Sequence, residues 1–173
     1  MKKISVVVPM YYEEEVAKEC YTRLKNVLEK IENYNYEIIF INDGSKDKTL
    51  EILKEIAKEN KNVKIISFSR NFGHQCAVTA GLRYVTGDAI VIIDADLQDP
   101  PELIPEMIKL WEEGNEVIYG KRKSREGESR FKLLTASMFY KTLNALSDVE
   151  IPKDTGDFRL VDRKVVEVIN SLP

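Results

Sequence analysis

Ala89-Ile90-Val91-Ile92-Ile93-Asp94-Ala95-Asp96 is the stretch on which the reading of this chain turns. Five apolar residues in a row, mostly β-branched, predict a strand buried on both faces. Two carboxylates, two positions apart, then leave its carboxyl end. In open α/β sheets, ligands bind beyond the carboxyl ends of the strands. Paired carboxylates there suit a hard divalent cation, which takes oxygen ligands and shares them with substrate phosphates. A lone D-x-D is also a common polar turn. The residues that follow, Leu97-Gln98-Asp99-Pro100-Pro101-Glu102, carry a helix-start signature: Asp99 as cap, prolines in the first turn, and Glu102 three residues after the cap. Asp99 and Glu102 are thereby assigned to capping, and Asp94 and Asp96 are left as candidate metal ligands.

Outward from this stretch the chain alternates strand and helix. Strand-like runs begin near Ile4, Glu37, Val63 and Val117. Helical stripes run from Val16 to Ile31, from Leu50 to Ala57, from Gly73 to Tyr84 and from Leu103 to Trp111, the last closed by Gly114. Repeated βα units with buried strands predict an α/β fold: a mainly parallel central sheet with helices on both faces. The 173 residues suit one domain over 1–173. With 43% hydrophobic and 32% charged residues the composition is that of an ordinary globular protein. A net charge of −3 argues against a nucleic-acid binder, so no nucleic-acid partner is expected. Cys20 and Cys76 both fall in helical stripes and are expected to be buried free thiols. The single histidine, His74, excludes a His-rich metal site and, at a helix start, is expected to be structural. No apolar run approaches the roughly 20 residues of a membrane span.

The loops narrow the chemistry. No G-x-G-x-x-G occurs, so no glycine-lined turn places a dinucleotide on a helix N-terminus. Gly114 to Lys121 comes near a P-loop, but it is one residue too long, and Arg122 stands where Ser or Thr would touch magnesium. The loop after the first strand carries Pro9, Tyr11 and Glu13: Tyr11 could stack on a base and Glu13 could accept from a base or sugar. Glu14 and Glu15 suit a helix N-terminus. After the second strand, Asp43 could accept from a ribose hydroxyl or simply form an Asp-Gly turn with Gly44, while Asp47 reads as the next helix cap. In Ser69-Arg70-Asn71-Phe72-Gly73-His74-Gln75, Arg70 could pair with a phosphate.

Pro9-Met10-Tyr11-Tyr12-Glu13-Glu14, Ile41-Asn42-Asp43-Gly44-Ser45, Arg70 to Gln75, Asp94 to Glu102 and Asp154-Thr155-Gly156-Asp157-Phe158-Arg159-Leu160 resemble, in order, the motifs of the family 2 inverting GT-A glycosyltransferases. The chain is most similar to the polyprenyl-phosphate branch, which includes dolichol-phosphate mannose synthase and bactoprenol glucosyltransferases. The resemblance implies that Pro9, Tyr11, Glu13, Ile41 and Asp43 hold the nucleoside. Asp94, Ala95 and Asp96 would sit at the diphosphate, with Asp96 most directly on a magnesium or manganese ion. Arg122 would contact phosphate, and Asp157 matches the position of the catalytic base. The family pattern has Asn after Tyr11; here Tyr12 stands there. The family also continues past this point, and the chain is therefore expected to be a truncated catalytic domain without its membrane-associated part.

The implied reaction moves a hexose, with inversion, from a nucleotide diphosphate sugar, by default a UDP-sugar, to a polyprenyl phosphate on the cytoplasmic membrane face. Asp96 is expected to act catalytically through the cation, and Asp157 either as base or as an orienting group. Lys121, Arg122, Lys123, Arg125, Arg130 and Lys132 form a basic segment suited to an anionic membrane surface. Phe131 to Leu143 could follow as an interfacial helix or as a core helix. Homo-oligomer formation is an open expectation. Two rivals remain at this point: a phosphatase of the haloacid-dehalogenase type, which places its D-x-D after the first strand rather than the fourth, and a non-catalytic nucleotide-sugar-binding module.

Overall fold

The computed structural model describes residues 1–121 and 155–172. The chain divides into two compact units, Met1–Tyr119 with Asp157–Pro173, and Gly120–Gly156. Arg122, Arg125, Arg130, Lys132 and the stretch Phe131 to Leu143 lie outside the described residues.

Along the chain come β1 (Lys2–Met10), α1 (Ala17–Leu28), β2 (Tyr34–Asn42), α2 (Thr49–Glu59), β3 (Val63–Ser67), α3 (His74–Tyr84) and β4 (Ala89–Ile92). A short 3-10 turn (Pro101–Leu103) leads into α4 (Ile104–Glu112), followed by β5 (Val117–Lys121), β6 (Thr155–Asp162) and the helix Arg163–Ser171, here α5. The six strands form one sheet in the order β3-β2-β1-β4-β6-β5. Strands β1, β2, β3 and β4 are parallel, and β6 runs antiparallel to β4. The expected α/β architecture is present, and the Asp157–Leu160 motif lies on β6, antiparallel to β4.

Period-two alternation divides the core between the two sheet faces. Val6, Val8, Phe40, Val91 and Leu160 pack on one side with Leu24, Leu53, Met107 and Trp111 from α1, α2 and α4. Val7, Ile39, Ile41, Ile90, Ile92 and Val161 pack on the other with Ala77 and Leu82 of α3 and Val166 of α5. Helix α3 approaches β1 closely: a methyl at Gly81 would meet the Val7 side chain at 2.4 Å. Trp111 Nε1 donates to Asp162 Oδ2 at 2.7 Å, and Asp162 also caps α5 by accepting from Lys164 N at 2.8 Å.

At the amino ends of the strands, away from the D-x-D, Glu37 is almost fully buried. Its carboxylate accepts from Ser5 Oγ (2.6 Å), Lys64 Nζ (2.7 Å) and both the amide and hydroxyl of Thr86 (2.6 and 2.8 Å). Burial alone would raise its pKa, but these bonds hold it down at about 2.

Four local expectations are corrected. Pro100, not Asp99, occupies the cap position of the 3-10 turn, with no side-chain capping bond. Glu102 instead forms a two-pronged pair with Arg23 of α1, at 3.1 and 2.7 Å, because its turn faces that helix. Cys20 is buried, and burial pushes its thiol up to about 12, but Cys76 is exposed on the outer face of α3. Lys48, not Asp47, occupies the cap position of α2, with no side-chain capping bond; Asp47, one residue earlier, accepts from Thr49 N at 3.1 Å.

Candidate functional site

Parallel pairing brings the carboxyl ends of β1, β2 and β4 to one edge. There the loops Pro9–Glu13, Asp43–Gly44, Asn71–His74 and Asp94–Asp96 enclose an open cleft of about 280 Å³. Its walls include Pro9, Tyr11, Glu13, Asp43, Asp94, Ala95 and Asp96, so most of the candidate residues meet at one place. Ile41 and Arg70 do not line it. Ile41 is fully buried against α3, and the Arg70 guanidinium lies 4.4 Å over the Phe72 ring. Arg122 lies outside the described residues.

Asp43 has a structural task. It is 3% exposed, and its two carboxylate oxygens accept from Phe72 N at 2.7 Å and Gly73 N at 2.9 Å. It therefore fixes the loop that starts α3. Gly44 beside it has φ +70°, and a methyl there would stand 2.2 Å from the Arg70 carbonyl carbon. Only glycine allows the two loops to touch in this way. Across the cleft, Tyr11 and Tyr12 pack edge to face with centroids 4.5 Å apart. Tyr12 has φ 58°, a left-handed backbone that Asn tolerates far better than Tyr. The Asn that the resemblance leads one to expect there has a backbone reason, and Tyr12 keeps the turn with its amide donating to Ser45 Oγ at 3.1 Å.

The edge over β4 is strongly acidic. Asp94 is half-buried and Asp96 exposed. Asp96 accepts from Gln98 N at 3.0 Å across a turn closed by Leu97, whose φ is 62°. Burial raises the pKa of Asp94; His74 pulls it down, and Asp157, Asp96 and Asp99 push it up. The Glu13 carboxyl is also raised, first by burial, then by Asp96, Asp47 and Asp94. Carboxylates so crowded carry surplus negative charge that a bound cation relieves.

Strand β6 completes this edge. Its register pairs Ile92 with Arg159, so the residues before Arg159 run past the end of β4 toward Asp94. Asp157 and Arg159, two apart, share a face. That face is the α3 side, since Val161 packs with Ala77. There the His74 Nε2 lies 3.3 Å from Asp157 Oδ2 and 3.8 Å from Asp94 Oδ1. One ligand atom each from His74, Asp94 and Asp157 lies within 4.8 Å of the others. The ligand atoms of Asp94 are thus grouped with His74 and Asp157, whereas Asp96 stands outside that group. The imidazole's place in the site was not read from the sequence. The available signal was its position directly after Gly73, at a helix start on the ligand-binding edge.

The grouped donors are two carboxylates and one imidazole, a set able to hold a divalent metal ion. The raised Glu13 and Asp94 carboxyls fit the same conclusion. Among the described residues no helix is long and apolar enough to cross a membrane.

The glycosyl transferase family 2 pattern matches residues 5–169. The chain is 58% identical over 168 residues to the uncharacterized glycosyltransferase YkcC of Bacillus subtilis, covering 97% of this chain and 52% of that protein. It is 46% identical over 171 residues to the prophage bactoprenol glucosyl transferase homolog of Escherichia coli, covering 99% and 56%. The chain thus spans about half the length of the relatives it matches. Among solved structures, the mannosyltransferase PcManGT of Pyrobaculum calidifontis, in complex with GDP-Man and Mn2+, superposes with a TM-score of 0.68 at 20% identity, over 99% of this chain and 48% of that one. Glucosyl-3-phosphoglycerate synthase of Mycobacterium tuberculosis, with Mn2+, UDP and phosphoglyceric acid, gives a TM-score of 0.65 at 22% identity, over 95% and 57%. An unbroken match across nearly all of the chain, on a sheet and cleft of this arrangement, settles the family: the chain belongs to glycosyl transferase family 2 and has the GT-A fold.

Proposed function

We propose that this chain is the catalytic domain of a glycosyltransferase that moves a hexose from a UDP-sugar to a polyprenyl phosphate at the cytoplasmic membrane face, with inversion. The observation that carries the reading is the crowded acidic edge: Asp94, Asp96 and Glu13 line a cleft whose other wall holds Tyr11 and Asp43, and Asp157 lies next to it across His74. The names of relatives such as the bactoprenol glucosyl transferase of Shigella phage SfX, 46% identical over 171 residues, support the lipid acceptor.

In this reading the nucleoside lies over β1 and β2. Tyr11 offers an exposed ring to the base. Pro9 and Glu13 border the sugar of the nucleoside. Asp43 shapes that wall through the Phe72 and Gly73 amides and retains acceptor lone pairs for a ribose hydroxyl. Asp94 and Asp96 would hold magnesium or manganese, and Ala95 between them is small enough to leave the diphosphate close to the backbone. The cation, when bound, stabilises the negative charge that the departing diphosphate gains. The acceptor phosphate has a second pKa of about 6, so near neutrality it is already a nucleophile. Asp157 then has no proton that it must remove.

Transfer of labelled glucose from UDP-glucose to undecaprenyl phosphate, with soluble sugars and small phosphomonoesters as competing substrates, tests the reading. Label in the lipid fraction supports it. Exclusive transfer to a sugar hydroxyl overturns the acceptor, and release of phosphate from small phosphomonoesters overturns the reaction class.

A further inference from the structure

Asp157 is gripped from both sides. Its Oδ1 lies 2.8 Å from Arg159 Nη2, and its Oδ2 lies 3.3 Å from His74 Nε2. Arg159 also donates through Nε to the Asp157 backbone carbonyl at 3.2 Å. With one oxygen on the guanidinium and the other facing the imidazole, both carboxylate oxygens are already engaged by side chains. The pair is not there for stability. Both side chains are about two-fifths exposed, at 42% and 39%, and ion pairs in that setting contribute roughly 0–1 kcal/mol.

The pair holds the Arg159 guanidinium in place. Arg159 has five N–H donors in a rigid fork. The bonds to Asp157 use Nε and one Nη2 hydrogen, and no described residue takes the others. Arg159 lies on β6, one strand beyond the Asp94 edge, while the cleft extends the other way over β1 and β2. Asp157 and Arg159 are not part of the cleft wall; His74, which is, stands between them and it. A donor lying over β1, β2 and β4 would therefore end beside His74, whose Nε2 is 3.3 Å from the carboxylate that holds Arg159. The other described guanidinium considered for phosphate, Arg70, is stacked on Phe72.

We propose that Arg159, aimed by Asp157 and flanked by His74, is the seat of the acceptor's phosphomonoester, and that Asp157 is a positioning residue rather than a proton acceptor. This deepens the reading of the preceding subsection and rests on it. The guanidinium fork matches the oxygens of a phosphate in two-pronged fashion, which an ammonium cannot reproduce.

The test is calorimetric binding of geranyl phosphate and, separately, of UDP with Mn2+, to the chain and to Arg159→Ala, Arg159→Lys, Asp157→Asn and the Asp157→Asn/Arg159→Ala double variant. The proposal expects geranyl phosphate affinity to fall at least tenfold in Arg159→Ala and to be restored only in part by Arg159→Lys. UDP affinity should stay within twofold. Asp157→Asn should weaken geranyl phosphate several-fold on its own and add nothing once Arg159 is gone, because it acts through that residue. Inorganic phosphate, showing the same dependence more weakly, would locate recognition in the phosphate rather than in the prenyl chain. Undiminished geranyl phosphate binding by Arg159→Ala would overturn the seat, as would an equal loss of UDP affinity, which would move Arg159 to the donor. Additive effects of the two substitutions would overturn the positioning role of Asp157. Failure of UDP to bind at all, with Arg159-dependent geranyl phosphate binding intact, would count against the donor reading and leave the seat standing.

Discussion

Replacing Glu37 by Gln tests the buried network at the closed end of the sheet. Glutamine approximates the protonated carboxyl: it keeps the shape but gives up the charge facing Lys64 and Lys3, at 2.7 and 3.4 Å. The carboxyl drops from 4.5 in the unfolded chain to about 2 when folded, and at about 1.4 kcal/mol per pKa unit the ionised form stabilises the protein by about 3 kcal/mol. That is a large share of the roughly 5–15 kcal/mol typical of a domain. Since the folded value is the lower one, the contribution is complete above about pH 5 and fades as the pH falls through about 2. Urea denaturation of both proteins at a series of pH values measures it. Glu37→Gln should be less stable by about 3 kcal/mol at pH 7, and the gap should close steadily between about pH 5 and 2. Other acids cancel in this difference, including Glu13 and Asp94, whose raised values work in the opposite direction. A gap below about 0.5 kcal/mol at pH 7, or one that does not change with pH, would refute the reasoning.

Other outcomes follow from the loops of the cleft. Asp43→Ala should cost about 2–4 kcal/mol of stability, because two amides lose a charged acceptor, and should weaken UDP binding as the Phe72 loop loosens. Thermal denaturation alongside UDP titration checks this; lost affinity at unchanged stability would reduce Asp43 to a ligand contact alone. Gly44→Ala should be destabilising by more than about 2 kcal/mol, since it meets both a left-handed backbone and a 2.2 Å clash with the Arg70 backbone. A soluble, equally stable Gly44→Ala protein would show that the two loops part without cost.

The parallel strands and their helices were legible in the sequence because each buried strand is an uninterrupted run, as in Ala89–Ile93, and each helix shows its apolar stripe. Strand β6 was harder to see. Its alternation, with Phe158 and Leu160 on one face and Asp157 and Arg159 on the other, is interrupted by charge because the second face borders the site. The cleft walls Pro9, Tyr11, Glu13, Asp94 and Asp96 could be anticipated from motifs at strand ends, because parallel pairing sends every such end to the same edge. Partners that depend on tertiary approach could not. Nothing local says that Asp43 binds the Phe72 amide, that Glu102 reaches Arg23, or that His74 arrives between Asp94 and Asp157. Cys76 was misplaced because the α3 stripe is short, and a small apolar residue near its edge can face either way.

The central claim is that the acidic edge binds a nucleotide diphosphate through a divalent cation, and the unfolding temperature with UDP tests it most directly. Asp96 is exposed and accepts one backbone bond, so Asp96→Ala should fold normally. At a hundredfold excess over Kd, binding adds about 2.7 kcal/mol, or roughly 5–10 °C for a chain of this size. The account predicts a rise of that order for the unaltered protein with UDP and manganese, little or none with UDP and EDTA, and loss of the manganese-dependent part in Asp96→Ala. An increment that survives the substitution, or that is the same with EDTA as with manganese, would contradict it.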